Sequence, residues 1–228
     1  MREVMAAYRE NPPEMAADAS PAADLQSVIA GLGRKWLGRF NKLAPELAKY
    51  FAQSVGERTD YQLQSILKRG GFTVDFRITR QVNDILQAVT HENVALIKSI
   101  ASQHLTQVEG MVMRSVTAGR DLETLNRELR ETFGVSKRRA ALIARDQNNK
   151  ATAVITRARQ EELGIQTAQW RHSHAGKTPR PSHLKAGREG VIYDVKKGWF
   201  DPDEQEWIWP GTLINCRCFS KPIIPGFD

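Results

Sequence analysis

From about Ser27 the chain places apolar residues with the period of a helix. Trp36, Leu37, Phe40, Leu43, Leu47, Tyr50 and Phe51 recur three and four residues apart, which predicts a helix with one core-forming apolar stripe. Tyr61, Leu63, Ile66 and Leu67 continue it, and Gly70-Gly71 ends it. "GFTVDFRI" then alternates Phe72, Val74, Phe76 and Ile78, as a short strand or an extended link would. A helix resumes with Val82, Ile85, Leu86 and Val89. His91 to Val116 carries Val94, Ile97, Ile100, Leu105, Val108, Met111 and Val112, with a break expected near Ser102 and a stop at Gly119. Asp121 offers an N-cap for a short helix that turns Leu122, Leu125, Leu129 and Phe133 inward and closes at Gly134. Ser136 caps a long segment running to Gly164, with Ala140, Ile143, Ala144, Ala151, Val154, Ile155 and Ala158 as its packed stripe.

After Gly164 helical periodicity stops. Four of the five tryptophans lie here (Trp170, Trp199, Trp207 and Trp209), and "IQTAQW", "GVIYDV" and "CRCFS" read as short β runs. The expected fold class is therefore α+β. Residues 1–24, with Pro12, Pro13 and Pro21, read as a flexible arm that orders on a partner. Residues 25–163 read as a helical body, and residues 164–228 as a small loop-rich β module.

Composition narrows the class. Of the 228 residues 41% are hydrophobic, enough to bury a core. No run of about 18 apolar residues occurs, so no membrane helix is expected. The N-terminal stretch lacks the apolar core of a signal peptide, so the expected location is the cytosol. The net charge of +7 suits a polyanion such as nucleic acid, and suits equally a mildly basic protein that meets none.

Three stretches could carry chemistry. The first is the set His172, His174, His183, Cys216 and Cys218, which holds the chain's two cysteines. On a strand, Cys216 and Cys218 would face the same side. Thiolates and imidazoles are the usual zinc ligands, and a module with a small core gains from such a staple. The alternatives are cysteines packed as small apolar residues, a strained Cys216–Cys218 disulfide, or a Cys–His nucleophile, for which no spacing selects a third member. The second stretch is the helix expected from Ser136, with Lys137, Arg138, Arg139, Arg145, Lys150, Arg157 and Arg159. Three of these cations fall in its first turn, where the helix dipole disfavours each by about 0.3–1 kcal/mol. Either phosphate or partner acids compensate, or the nearby Glu128 and Glu131 do. The third is "HSHAGKTPRPSHLKAGREG", a structured loop whose Lys177, Arg180, Lys185 and Arg188 suit phosphate or carboxylate. It is not a phosphate-binding loop, because position 171 is Arg where that motif needs Gly.

The order Trp170-x-x-Ser173, "KTPRPSH", "GREG" and "PGTLINCRC" resembles the phage Mu F-like family of minor head proteins, also called head morphogenesis proteins of the SPP1 type. The preceding helices, with "ALIARDQ", are similar to its helical part, so the resemblance runs from about Thr79 to Pro225. Its motif falls on Trp170, Ser173, Arg180, Pro181, Ser182, His183, Asn215, Cys216, Arg217 and Cys218. The resemblance implies a tailed-phage or prophage protein present in few copies. It would be made in the host cytoplasm and carried in the virion head, with no enzymatic activity and no membrane. The implied partners are the portal protein, coat or scaffold protein, and double-stranded DNA, for which Lys137, Arg138, Arg139, Arg145 and Lys150 are the candidate contacts. Many relatives carry "RTCPEC" where this chain has "TPRPSH", which puts Arg180 and His183 at the two cysteine positions. The implied zinc set is His183, Cys216 and Cys218, with His174 or His172 as the fourth ligand. The second reading is a metal-dependent nuclease-like enzyme that uses the same cluster, with Asp194, Asp201, Asp203 and Glu204 as available acids.

Overall fold

A computed structural model describes residues 3, 4, 6, 21–117, 122–176 and 178–224. Three long helices come first: α1 (Pro21–Arg69), α2 (Arg80–Thr117) and α3 (Leu122–Glu162). A small region follows with β1 (Thr167–Arg171), α4 (Pro181–Glu189), β2 (Ile192–Asp194), β3 (Trp199–Asp201), β4 (Glu206–Ile208) and β5 (Phe219–Pro222). The fold is α+β, as the periodicity predicts. None of the described helices is long and apolar enough to cross a membrane. The chain divides into two compact units, Met1–Leu47 with Asn93–Ala141, and Ala48–Glu92 with Leu142–Asp228.

Several expected boundaries move. The arm expected over residues 1–24 lies mostly outside the described residues, and its last four residues already belong to α1. The stop at Gly119 and the cap at Asp121 also lie outside them. The break near Ser102 does not occur. Gly134 does not close a helix, because α3 passes through Gly134 and Ser136 without interruption. One glycine costs a helix only about 1 kcal/mol, and burial on either side outweighs that. "GFTVDFRI" is an extended link, since residues 72–79 belong to no strand.

In the first unit Leu25, Ile29, Val108, Met111, Val112, Leu125 and Leu129 form the core. Here α1 departs from expectation. Between residues 44 and 52 its buried face is built from small residues, with Ala44 and Ala48 at 0% exposure, while Phe40 is 37%, Leu43 46% and Leu47 44% exposed. Of the large apolar stripe, Trp36, Phe40, Leu43, Leu47 and Tyr50 point outward, while Leu37 is half-buried and Phe51 packs against the core of the second unit.

In the second unit Ala52, Val55, Val89, Ala151 and Ile155 pack together. The buried Arg159 ties three elements. Its guanidinium donates to both Asp60 oxygens, to Glu162 and to the Arg77 carbonyl, and lies 4.7 Å from the centre of the Phe76 ring. The β region forms an antiparallel sheet ordered β2-β1-β5 and a β3-β4 hairpin. Its core holds Ala168, Trp170, Ala186, Tyr193, Val195, Ile208, Cys216 and Cys218. A hydrogen-bonded chain fastens the sheet to α3: the Tyr193 hydroxyl donates to Ser220 Oγ at 2.7 Å, and Ser220 Oγ lies 3.1 Å from Gln160 Nε2.

Candidate functional site

The stretch expected to be a loop contains α4. Pro181 stands in its first turn, where a fixed φ suits a helix and no N–H is wasted. Its N-cap, Arg180, makes no side-chain cap; Asp203 from the β3-β4 turn accepts the Ser182 N–H instead, at 3.0 Å. Arg180 is held by Glu204 at 2.9 Å and by the Ile214 carbonyl at 3.2 Å. The helix ends at Gly190 in the left-handed conformation, φ 62°. Gly187 lets α4 press against the end of β1: a Cβ there would sit 2.4 Å from His172 Cβ.

His183, in the first turn of α4, points into the module core. Its Nε2 lies 3.1 Å from Asp201 Oδ2, and its Nδ1 lies 3.4 Å from Cys216 Sγ and 3.7 Å from Cys218 Sγ. Trp170 meets the ring edge-on at 4.9 Å. Asp201 is fully buried and its other oxygen accepts the Asp203 N–H at 2.9 Å. A buried carboxylate needs a donor, so Nε2 carries the proton and Nδ1 turns its lone pair to the sulfurs. The two cysteines are free thiols and are not on a strand; they lie in the extended run before β5. They face one ring all the same, because side chains two residues apart in an extended run share a side; just before them Asn215 makes a turn at φ 60°.

Two residues of α3, one turn apart, hold that turn. Asp146 Oδ1 accepts the Asn215 N–H at 2.6 Å, and Asn149 donates to the Cys216 carbonyl at 3.0 Å. Electrostatics couples the thiols. The Cys218 hydrogen bond favours the Cys216 thiolate and, against the opposing effect of burial, pulls its pKa down. The Cys216 thiolate in turn, together with burial, pushes Cys218 up. The Trp170 indole N–H is buried without a hydrogen-bond partner and favours a thiolate at Cys218.

Of the four expected metal ligands, three come together: His183, Cys216 and Cys218, all buried, with ligand atoms within 4.8 Å of one another. His174 is not with them. It lies exposed with φ 55°, its ring against His172 at 4.6 Å, and its N–H donates to His172 Nδ1. Trp170 is fully buried, Ser173 Oγ accepts the Ala175 N–H, and Arg217 donates to the Ala175 carbonyl.

The basic run does not begin a helix. Lys137, Arg138 and Arg139 stand mid-helix in α3, so the dipole penalty does not apply. Lys137, Arg138 and Arg145 are exposed, Arg139 is half-buried, and Lys150 pairs with Asp146 at 3.0 Å. The acids available to an enzyme are structurally engaged. Asp194 accepts the Lys196 and Lys197 N–H groups, Asp201 holds His183, Asp203 caps α4 and Glu204 pairs with Arg180.

Sequence reasoning gave no role to Asp146 and Asn149 and singled out no member of the Asp201–Asp203 pair. The signal for the pair was "FDPDE", an Asp-Pro-Asp turn between aromatic strands; polar residues within a long helix gave none.

The family profile described as "Phage Mu protein F like protein" matches residues 106–220, half of the chain. A protein of Haemophilus influenzae (strain Rd), described only as uncharacterized, is 36% identical over 147 residues. That match covers 64% of this chain and 30% of the Haemophilus protein, so the chain spans under a third of its relative's length. No solved structure matches.

Proposed function

From the premise that this chain belongs to the phage Mu protein F like family, a family of head morphogenesis proteins, we propose that it acts by binding at the portal vertex while the head assembles. The observation that carries this reading is the outward stripe on α1. Trp36, Phe40, Leu43, Leu47 and Tyr50 follow a 4-3-4-3 spacing, which is the a/d seam of a coiled coil. All five are exposed, although each is large and apolar. Trp36 gives its indole N–H to Glu3 at 2.8 Å; a helix of a partner docked along the rest of the seam removes its apolar surface from water. The proposed partner is the portal protein, with coat or scaffold protein adjoining it. The chain is made in the host cytoplasm and retained in the head.

Exposed Lys137, Arg138 and Arg145 support a secondary contact with packaged double-stranded DNA, through phosphate and without sequence preference. The enzyme reading finds less support, because each acid it would use is engaged in holding the module.

The test is co-purification. Tagged chain expressed with the portal protein of its own phage should carry portal through gel filtration, and Leu43→Glu with Leu47→Glu should abolish this while the circular dichroism spectrum is kept. Portal capture unchanged by the double substitution would remove the seam from the account.

A further inference from the structure

We propose that His183 Nδ1, Cys216 Sγ and Cys218 Sγ bind one zinc-class divalent cation, with Asp201 as the residue that positions the imidazole. The inference rests on the cluster's geometry and stands apart from the portal reading.

The first ground is a count of lone pairs. Nε2 of His183 faces the buried Asp201 carboxylate, which leaves Nδ1 one lone pair. One lone pair accepts one hydrogen bond, yet two sulfurs converge on it, at 3.4 and 3.7 Å. Two thiols packed only as small apolar groups have no reason to share a nitrogen. Three donors around one cation do.

The second ground is distance. Zinc–sulfur bonds of about 2.3 Å and zinc–nitrogen bonds of about 2.0–2.1 Å put a sulfur and a nitrogen about 3.6 Å apart across a tetrahedral edge. The two observed separations lie on either side of that value. The third edge, between the two sulfurs, lies within 4.8 Å.

The third ground is the surroundings. Histidine ligands of metals nearly always give their other N–H to a carboxylate or carbonyl, and Asp201 supplies a fully buried one. The Trp170 N–H, buried and unpartnered, stands beside Cys218 as a donor for a coordinated thiolate. Asp146 and Asn149 fix the cysteine turn from α3. The ligands are therefore held by three separate elements before any cation arrives. On binding, each thiol that is still protonated gives its proton to solvent.

The test uses the full chain. After exposure to excess Zn(II) and gel filtration, elemental analysis should find about one zinc per chain. Co(II) added to metal-free protein should give sulfur-to-cobalt charge-transfer absorption in the near ultraviolet and d–d bands of tetrahedral intensity. Cys216→Ser or Cys218→Ser should weaken that absorption, and His183→Ala should abolish tight binding. Asp201→Asn should keep the spectrum while lowering Co(II) affinity about 10- to 100-fold, the effect of losing a positioning partner. Should the serine variants fail to fold, zinc K-edge X-ray absorption of loaded wild type decides instead: the zinc should have two sulfurs and one imidazole nitrogen as ligands, and ligation without sulfur would overturn the proposal. Folded wild type with less than about a tenth of an equivalent of zinc and no cobalt–sulfur band would overturn the proposal.

Discussion

Arg159 grips Asp60 through two parallel hydrogen bonds, Nε to Oδ1 at 2.8 Å and a terminal nitrogen to Oδ2 at 2.7 Å. The arginine is 1% exposed, whereas Asp60 keeps 23% of its side chain in water. Burial alone would lower the arginine's proton affinity; the hydrogen bonds it donates to Asp60 and Glu162 outweigh that and hold it above its ordinary value. Removing one partner of a fully buried pair costs about 3–5 kcal/mol, and the open side of Asp60 reduces that. Arg159→Met is therefore expected to cost about 2–3 kcal/mol and Asp60→Asn less. Urea midpoints of the three proteins measure the difference.

His104 gives the chain an acid limit. Its Nδ1 lies 2.9 Å from Ser136 Oγ and its ring meets Phe133 edge-on. Burial disfavours the charged ring and holds its pKa below the ordinary 6.5. The unfolded chain then binds the extra proton. The contribution is fully present above about pH 6.5 and is lost as pH falls through the folded value. His104→Gln should flatten this part of the stability profile between about pH 8 and pH 5. An NMR titration placing His104 at or above its ordinary value would show the sign to be wrong.

Two Gly→Ala substitutions should move stability in opposite directions. At Gly187 the new methyl meets His172 Cβ at 2.4 Å and its backbone nitrogen at 3.0 Å, so α4 must shift from β1. A loss of about 1–3 kcal/mol is expected. At Gly134, inside α3, the nearest atom to an added Cβ is the flexible end of Arg138 at 3.6 Å. Ala should there stabilise by about 0.5–1 kcal/mol. Thermal unfolding of the two variants side by side is the check.

Tyr193 joins the sheet to α3. Burial pushes its phenol up to about 12, partly offset by the hydrogen bond to Ser220. The neutral form is the folded one, so its contribution holds below about pH 10 and is lost as pH rises towards the folded value. Tyr193→Phe should cost about 1 kcal/mol at neutral pH and remove that alkaline loss. Urea midpoints near pH 7.5 and pH 10.5 test both parts.

How much of this was legible depended on the element. The 3.6-residue period located the helices, because Leu63, Val82, Val108 and Ile155 each carry the burial that periodicity encodes. It could not say which face of α1 is inside. Ala44 and Ala48 make a face as continuous as that of Phe40 and Leu43, and only the neighbouring helices choose between them. Gly134 and Ser136 looked like a boundary because local propensity marks one there; packing of Leu125 and Leu129 carries the helix through it. At the site the motif named His183, Cys216 and Cys218. It missed the acids around them, since Asp146 and Asp201 reach the cluster across 69 and 18 residues of chain. No local pattern records such a contact.

The central claim is that the chain enters the head through the α1 seam. Quantitative mass spectrometry of purified proheads tests it most directly, with wild-type chain in one preparation and Leu43→Glu with Leu47→Glu in the other. The wild-type chain should be present well below the coat protein and near the portal protein in amount, and the folded double variant should be missing from the particles. Proheads that hold the variant at the wild-type level, or that lack the wild-type chain altogether, would contradict it.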